Sequence, residues 1–87
     1  MYYLVISRVN INYPNLSMRL IPSGATRLQA IRALAEYVHS MQPSYPIHQV
    51  ARLLLRWQSQ GFSLDWTWTE DAGYGMFYTY LAEIVEK

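Results

Sequence analysis

The sequence predicts one small α+β domain in the order ββααββ, a four-stranded, mostly antiparallel sheet with two helices packed on one face. Three observations carry this fold. β-branched and aromatic residues alternate at both ends of the chain, two middle segments place apolar residues at helical spacing, and 87 residues leave room for one core over residues 1–87.

The first strand is expected over residues 2–11, Tyr-Tyr-Leu-Val-Ile-Ser-Arg-Val-Asn-Ile, ending in the turn-like Asn12-Tyr13-Pro14-Asn15. Tyr3, Val5, Ser7, Val9 and Ile11 share one side of it, expected to face the core near its end, and Tyr2, Leu4, Ile6, Arg8 and Asn10 share the other. Leu16 to Ile21 returns as a second strand, alternating Leu16, Met18, Leu20 with Ser17, Arg19, Ile21. Pro22-Ser23-Gly24-Ala25 interrupts it, and Thr26 is the expected N-cap of a helix running to about Met41. Leu28, Ile31, Leu34, Ala35, Val38 and Met41 form that helix's apolar face, opposite Gln29, Arg32, Glu36, His39 and Ser40.

Pro46 suits the first position of a second helix over 46–60, with Gly61 as its stop. Its apolar arc, from Ile47 through Val50, Ala51 and Leu53 to Trp57, is wider than one sheet contact requires. Leu64, Trp66 and Trp68 alternate with Asp65, Thr67 and Thr69 in the clearest period-two run of the chain. Glu70-Asp71-Ala72-Gly73 is the expected hairpin turn, after which Tyr74 to Ile84 runs back as a fourth strand. Residues 81–87 also suit a short helix, with strand preferred. Tyr78-Thr79-Tyr80-Leu81 echoes Tyr2-Tyr3-Leu4 too briefly to make a repeat.

The composition narrows the chemistry. Without cysteine there is no thiolate nucleophile, zinc ribbon, iron–sulfur site or disulfide. The N-terminus lacks the pattern of a signal peptide, and the longest apolar runs, such as Leu53-Leu54-Leu55, fall far short of the roughly 20 residues that span a bilayer. A cytoplasmic location, with no membrane partner, is therefore expected. Glu36-x-x-His39 with His48 is the only hint of a metal site, and metal centres gather more dedicated ligands than this. No serine sits in a nucleophile elbow, Asp65, Glu70 and Asp71 crowd an expected solvated turn, and neither Gly24 nor Gly73-x-Gly75 fits a phosphate-binding loop. No catalytic residue, metal or cofactor is expected.

What stands out is an aromatic-rich, lysine-poor make-up. The chain is 15% charged and 15% aromatic, with eight tyrosines, three tryptophans and Lys87 as its single lysine. Protein interfaces share this bias. Residues 1–56 hold Arg8, Arg19, Arg27, Arg32, Arg52 and Arg56 against Glu36, whereas residues 57–87 hold Asp65, Glu70, Asp71, Glu83 and Glu86 against Lys87. On the second helix Gln49, Arg52, Arg56 and Ser59 line one face with no acid among them, and arginines at i and i+4 repel. Arg52, Arg56 and Gln49, together with Tyr2, Arg8 and Arg19 on the open side of the sheet, are the candidate partner-binding residues.

The leading expectation is a non-enzymatic protein-binding module, an inhibitor of a larger protein or complex. Size and absence of motifs alone suggest the manner of phage anti-defence, anti-CRISPR-like proteins. Self-association into a homodimer is the other protein partner considered. The first alternative is a nucleic-acid-binding module that uses arginine faces and exposed aromatics, although a net charge of +1 falls short of a strongly basic footprint. The second is a small enzyme with an undiagnosed site.

Overall fold

A computed structural model describes residues 1–10 and 16–87. The elements are β1 (Tyr2–Asn10), β2 (Leu16–Gly24), α1 (Arg27–Met41), α2 (Ile47–Ser59), β3 (Asp65–Gly73) and β4 (Met76–Glu86). The architecture is the expected ββααββ α+β arrangement, one open antiparallel sheet in the order β2-β1-β4-β3. Ile11 and the expected turn at residues 12–15 lie outside the described residues.

The first and last strands pair at the centre of the sheet, from Tyr2 opposite Glu86 to Asn10 opposite Tyr78. The ends of the chain meet there. The Met1 ammonium donates to the Lys87 carbonyl at 3.1 Å, and the Lys87 amide donates to the Met1 carbonyl at 2.9 Å. The helices connect one edge strand, β2, to the other, β3.

α1 begins with a capping box. Thr26 Oγ1 accepts from the Gln29 amide at 3.2 Å, while Gln29 Oε1 accepts from the Thr26 amide at 3.1 Å and the Ala25 amide at 2.8 Å. α2 begins one residue later than expected, because Pro46 is extended and serves as the N-cap rather than the first helical residue. Ile31, Leu34, Ala35 and Val38 of α1 and Val50 and Leu54 of α2 form one core cluster with Leu4, Ile6, Trp68 and Ala82 of the sheet and Leu64. No helix among the described residues is long and apolar enough to cross a membrane.

Three expectations need correction. The core side of β1 is the set containing Leu4 and Ile6, not that of Tyr3, Val5, Ser7 and Val9. β2 runs on through Pro22 and Ser23 to Gly24, since an edge strand tolerates a proline whose missing N–H need not join the ladder. The last hairpin turns at Tyr74-Gly75 rather than at 70–73. Both turn residues have positive φ, 53° and 73°, as a two-residue turn with the strands' own twist requires. A register shift between Asp71 and Gly73 absorbs Ala72, so the polar residues Glu70 and Asp71 stay in the ladder. The C-terminal residues 81–86 are strand, as preferred.

Candidate functional site

The two sides of the sheet differ in what covers them. Alternation along each strand puts Tyr2, Leu4, Ile6, Arg8, Arg19, Ile21, Trp66, Trp68, Tyr80, Ala82 and Ile84 on the helix side. The opposite side carries Tyr3, Val5, Ser7 and Val9 of β1, Met18 and Leu20 of β2, Phe77, Leu81 and Val85 of β4, and the threonines Thr67, Thr69 and Thr79. Met18 is 63% exposed, Leu20 50% and Phe77 41%. The charged positions on this open side are Asp65, Asp71 and Glu83, with Asp65 directly opposite Glu83. Among the described strand residues no arginine or lysine faces this way.

Tyr2, Arg8 and Arg19 were expected on that open side and are not there. All three lie on the helix side, where α1 does not cover the ends of the strands. At one end Tyr2 sits with the Arg27 guanidinium 5.9 Å from its ring centroid. At the other, past the C-terminus of α1, Arg8 and Arg19 are diagonal neighbours, because Arg8 stands opposite Ser17 and Arg19 opposite Ile6. With Ser17, Tyr37, Met41 and Tyr80 they line a pocket of about 300 Å³.

Aromatic stacking supports this pocket. The Tyr80 ring lies parallel to Trp68, 5.1 Å between centroids and 5° between planes, and Tyr37 leans on the same indole at 6.1 Å. The Arg8 guanidinium sits 4.9 Å from the Tyr78 ring centroid. Burial raises the Tyr80 phenol above its ordinary pKa; its hydroxyl also meets Arg8, which lowers it, and Glu70, which raises it.

Gln49, Arg52 and Arg56 line the exposed outer face of α2, as the helical spacing requires. Among the described residues no carboxylate lies within 4 Å of Arg52 or Arg56, so the chain's own Asp65, Glu70 and Asp71 do not pair with them. The ion pair among the described residues is Arg32 with Glu36, at 3.0 Å. That contact engages the carboxylate of the Glu36, His39, His48 set. His39 Nδ1 lies 2.8 Å from the Tyr45 carbonyl oxygen, and no group of three His, Asp or Glu side chains among the described residues is arranged around a metal position.

Sequence patterning did not single out two features. One is the apolar open side of the sheet, where the alternating Met18 and Leu20 are the uncovered set. The other is a mostly apolar groove of about 400 Å³ between the outer surfaces of α1 and α2, lined by Leu28, Ile31, Ile47, Ala51 and Leu55 and edged by Arg32, Glu36 and His48. The wide apolar arc of α2 is its sequence signal. Comparison with protein-family models, curated proteins and solved structures finds no match to this chain.

Proposed function

We propose that the chain is a non-catalytic protein-binding module that docks a larger protein on the open side of its sheet and acts by covering part of that protein's surface. One observation carries this: a largely apolar sheet face, from Tyr3 and Val5 through Met18 and Leu20 to Leu81 and Val85 and interrupted by Ser7 and Glu83, has no layer packed on it among the described residues. Strands spaced about 4.8 Å apart and rising about 3.3 Å per residue make the face roughly 19 by 30 Å. Side-chain relief brings that near the about 800 Å² that one partner contributes to a standard interface.

The charges on the face favour a foreign partner over a second copy. A two-fold axis through the middle of the face buries Asp65 and Glu83 against the same carboxylates or against aliphatic side chains, and unpaired buried charge is costly. The fitting partner presents an apolar patch beside arginine or lysine. Phosphate backbones are repelled by the same acids, which leaves this face to protein.

Immobilised wild-type protein and a Met18→Glu, Leu20→Glu variant, each exposed to nuclease-treated native extract, test the proposal. Both substitutions sit on an exposed face, so circular dichroism and the thermal midpoint should be nearly unchanged. The expected result is a protein captured by the wild type and lost on the variant. Equal capture by both, loss of all capture after nuclease, or a concentration-dependent dimer that the substitutions dissociate would each overturn it.

A further inference from the structure

The pocket past the end of α1 lies on the other side of the sheet from the docking face, and its chemistry is different. We infer that it binds a phosphate monoester carried on a planar ring, of the nucleoside monophosphate type, through Arg8, Arg19 and Ser17.

Charge comes first. Arg8 and Arg19 are exposed diagonal neighbours on adjacent strands, and among the described residues no carboxylate lines the pocket and no acid lies within 4 Å of Arg19. Two cations at diagonal positions on adjacent strands repel until an anion bridges them. A phosphate monoester, near −2 at neutral pH, matches the pair where a single carboxylate matches one of them. Ser17, directly opposite Arg8, adds a hydroxyl on the same side of the sheet.

Shape and rigidity supply the rest. A pocket of about 300 Å³ is at the lower end of the size range of small-molecule sites and exceeds what phosphate alone fills. Its remaining wall is Ile6, Tyr37, Met41 and Tyr80, an apolar and aromatic surface for a flat ring. Trp68 is buried, and both tyrosine rings pack on it, so the wall is formed before ligand arrives. The Tyr80 hydroxyl meets Arg8 as well as Glu70, and Arg8 leans over Tyr78; of the two pocket cations Arg19 is thus the less engaged.

Calorimetric or NMR titration of the full chain with adenosine monophosphate, adenosine, inorganic phosphate and phosphotyrosine tests this. Expected is adenosine monophosphate binding with Kd below about 1 mM, inorganic phosphate at least about tenfold weaker, and adenosine undetected. Arg19→Gln should weaken the nucleotide at least about tenfold with an unchanged thermal midpoint, and Arg19→Lys, which keeps the charge but not the fork, should fall between. A 5′-phosphorylated oligonucleotide binding better than its 5′-hydroxyl counterpart extends the ligand to a strand end; equal binding of the two leaves the free nucleotide as ligand. Adenosine binding as well as its phosphate, no effect of Arg19→Gln, or no binding at several times 1 mM would refute the inference, and phosphotyrosine binding about tenfold tighter than the nucleotide would overturn it in favour of a phosphorylated protein. Met18→Glu, Leu20→Glu should leave this affinity unchanged, so this site and the docking face fail independently.

Discussion

Tyr80 joins the core to the basic pocket, since its ring lies flat on Trp68 while its hydroxyl reaches Arg8 and Glu70. Burial disfavours the phenolate, so the folded-state pKa stands above the ordinary value of about 10. A group raised in this way gives its full stabilisation below the unfolded pKa and loses it as pH rises through the folded one. Wild-type stability should therefore fall above about pH 10 more steeply than that of Tyr80→Phe, which has no proton to lose at this position. Urea unfolding of both proteins from neutral to alkaline pH checks this, and parallel declines would place the loss elsewhere. Leu34 provides a contrasting case with no titration. It is 0% exposed between the helices and the sheet, and Leu34→Ala should cost about 2–5 kcal/mol at every pH in the same unfolding series.

At the scale of elements, α1 was the most legible part of the chain. Thr26 and Gln29 stand at capping-box spacing, the apolar residues keep one helical period, and local chemistry alone decides both. Thr26→Ala should cost about 1 kcal/mol by equilibrium unfolding. Gly24→Ala should cost at least as much, because φ is +129° there and an added Cβ would lie 2.6 Å from Gln29 Cβ, displacing the residue that completes the box. The last hairpin was less legible. Glu70-Asp71-Ala72-Gly73 has turn composition, yet the bulge at Ala72 keeps Glu70 and Asp71 paired and the turn falls on Tyr74-Gly75. On α2 the i, i+4 spacing places Arg52 and Arg56 together on the exposed face, with no carboxylate among the described residues within 4 Å of either. Arg52→Glu converts a repelling i, i+4 pair into an attracting one in its better order, Glu preceding Arg. It should stabilise the protein by about 0.5 kcal/mol, a gain that about 1 M salt removes in the same urea titration.

Across the whole molecule, the strands and their order were legible and their orientation was not. Alternation sorts each strand into two sets, but which set is inside depends on how far the helices reach over the sheet. Arg8 and Arg19 are polar and nevertheless face the helix side, because α1 ends at Met41 before covering them; Met18 and Leu20 are apolar and face out. The same placement decides how the protein meets nucleic acid. Arg8 and Arg19 lie past the C-terminus of α1, Arg27 beside Tyr2 at the other end, Arg52 and Arg56 on the back of α2, and Arg32 is paired with Glu36. Among the described residues the charges on the open side of the sheet are all carboxylates. An extended strand that follows one surface thus meets about two arginines at a time, and each backbone contact on duplex contributes a log–log salt slope of about −0.9. Binding to random-sequence DNA or RNA should be weak at about 150 mM salt, with a slope corresponding to no more than two contacts. Fluorescence titration of labelled single-stranded and duplex oligonucleotides across salt measures both quantities. Submicromolar affinity with a slope of about four contacts or more would show that the dispersed arginines act together, and would make nucleic acid rather than protein the primary partner.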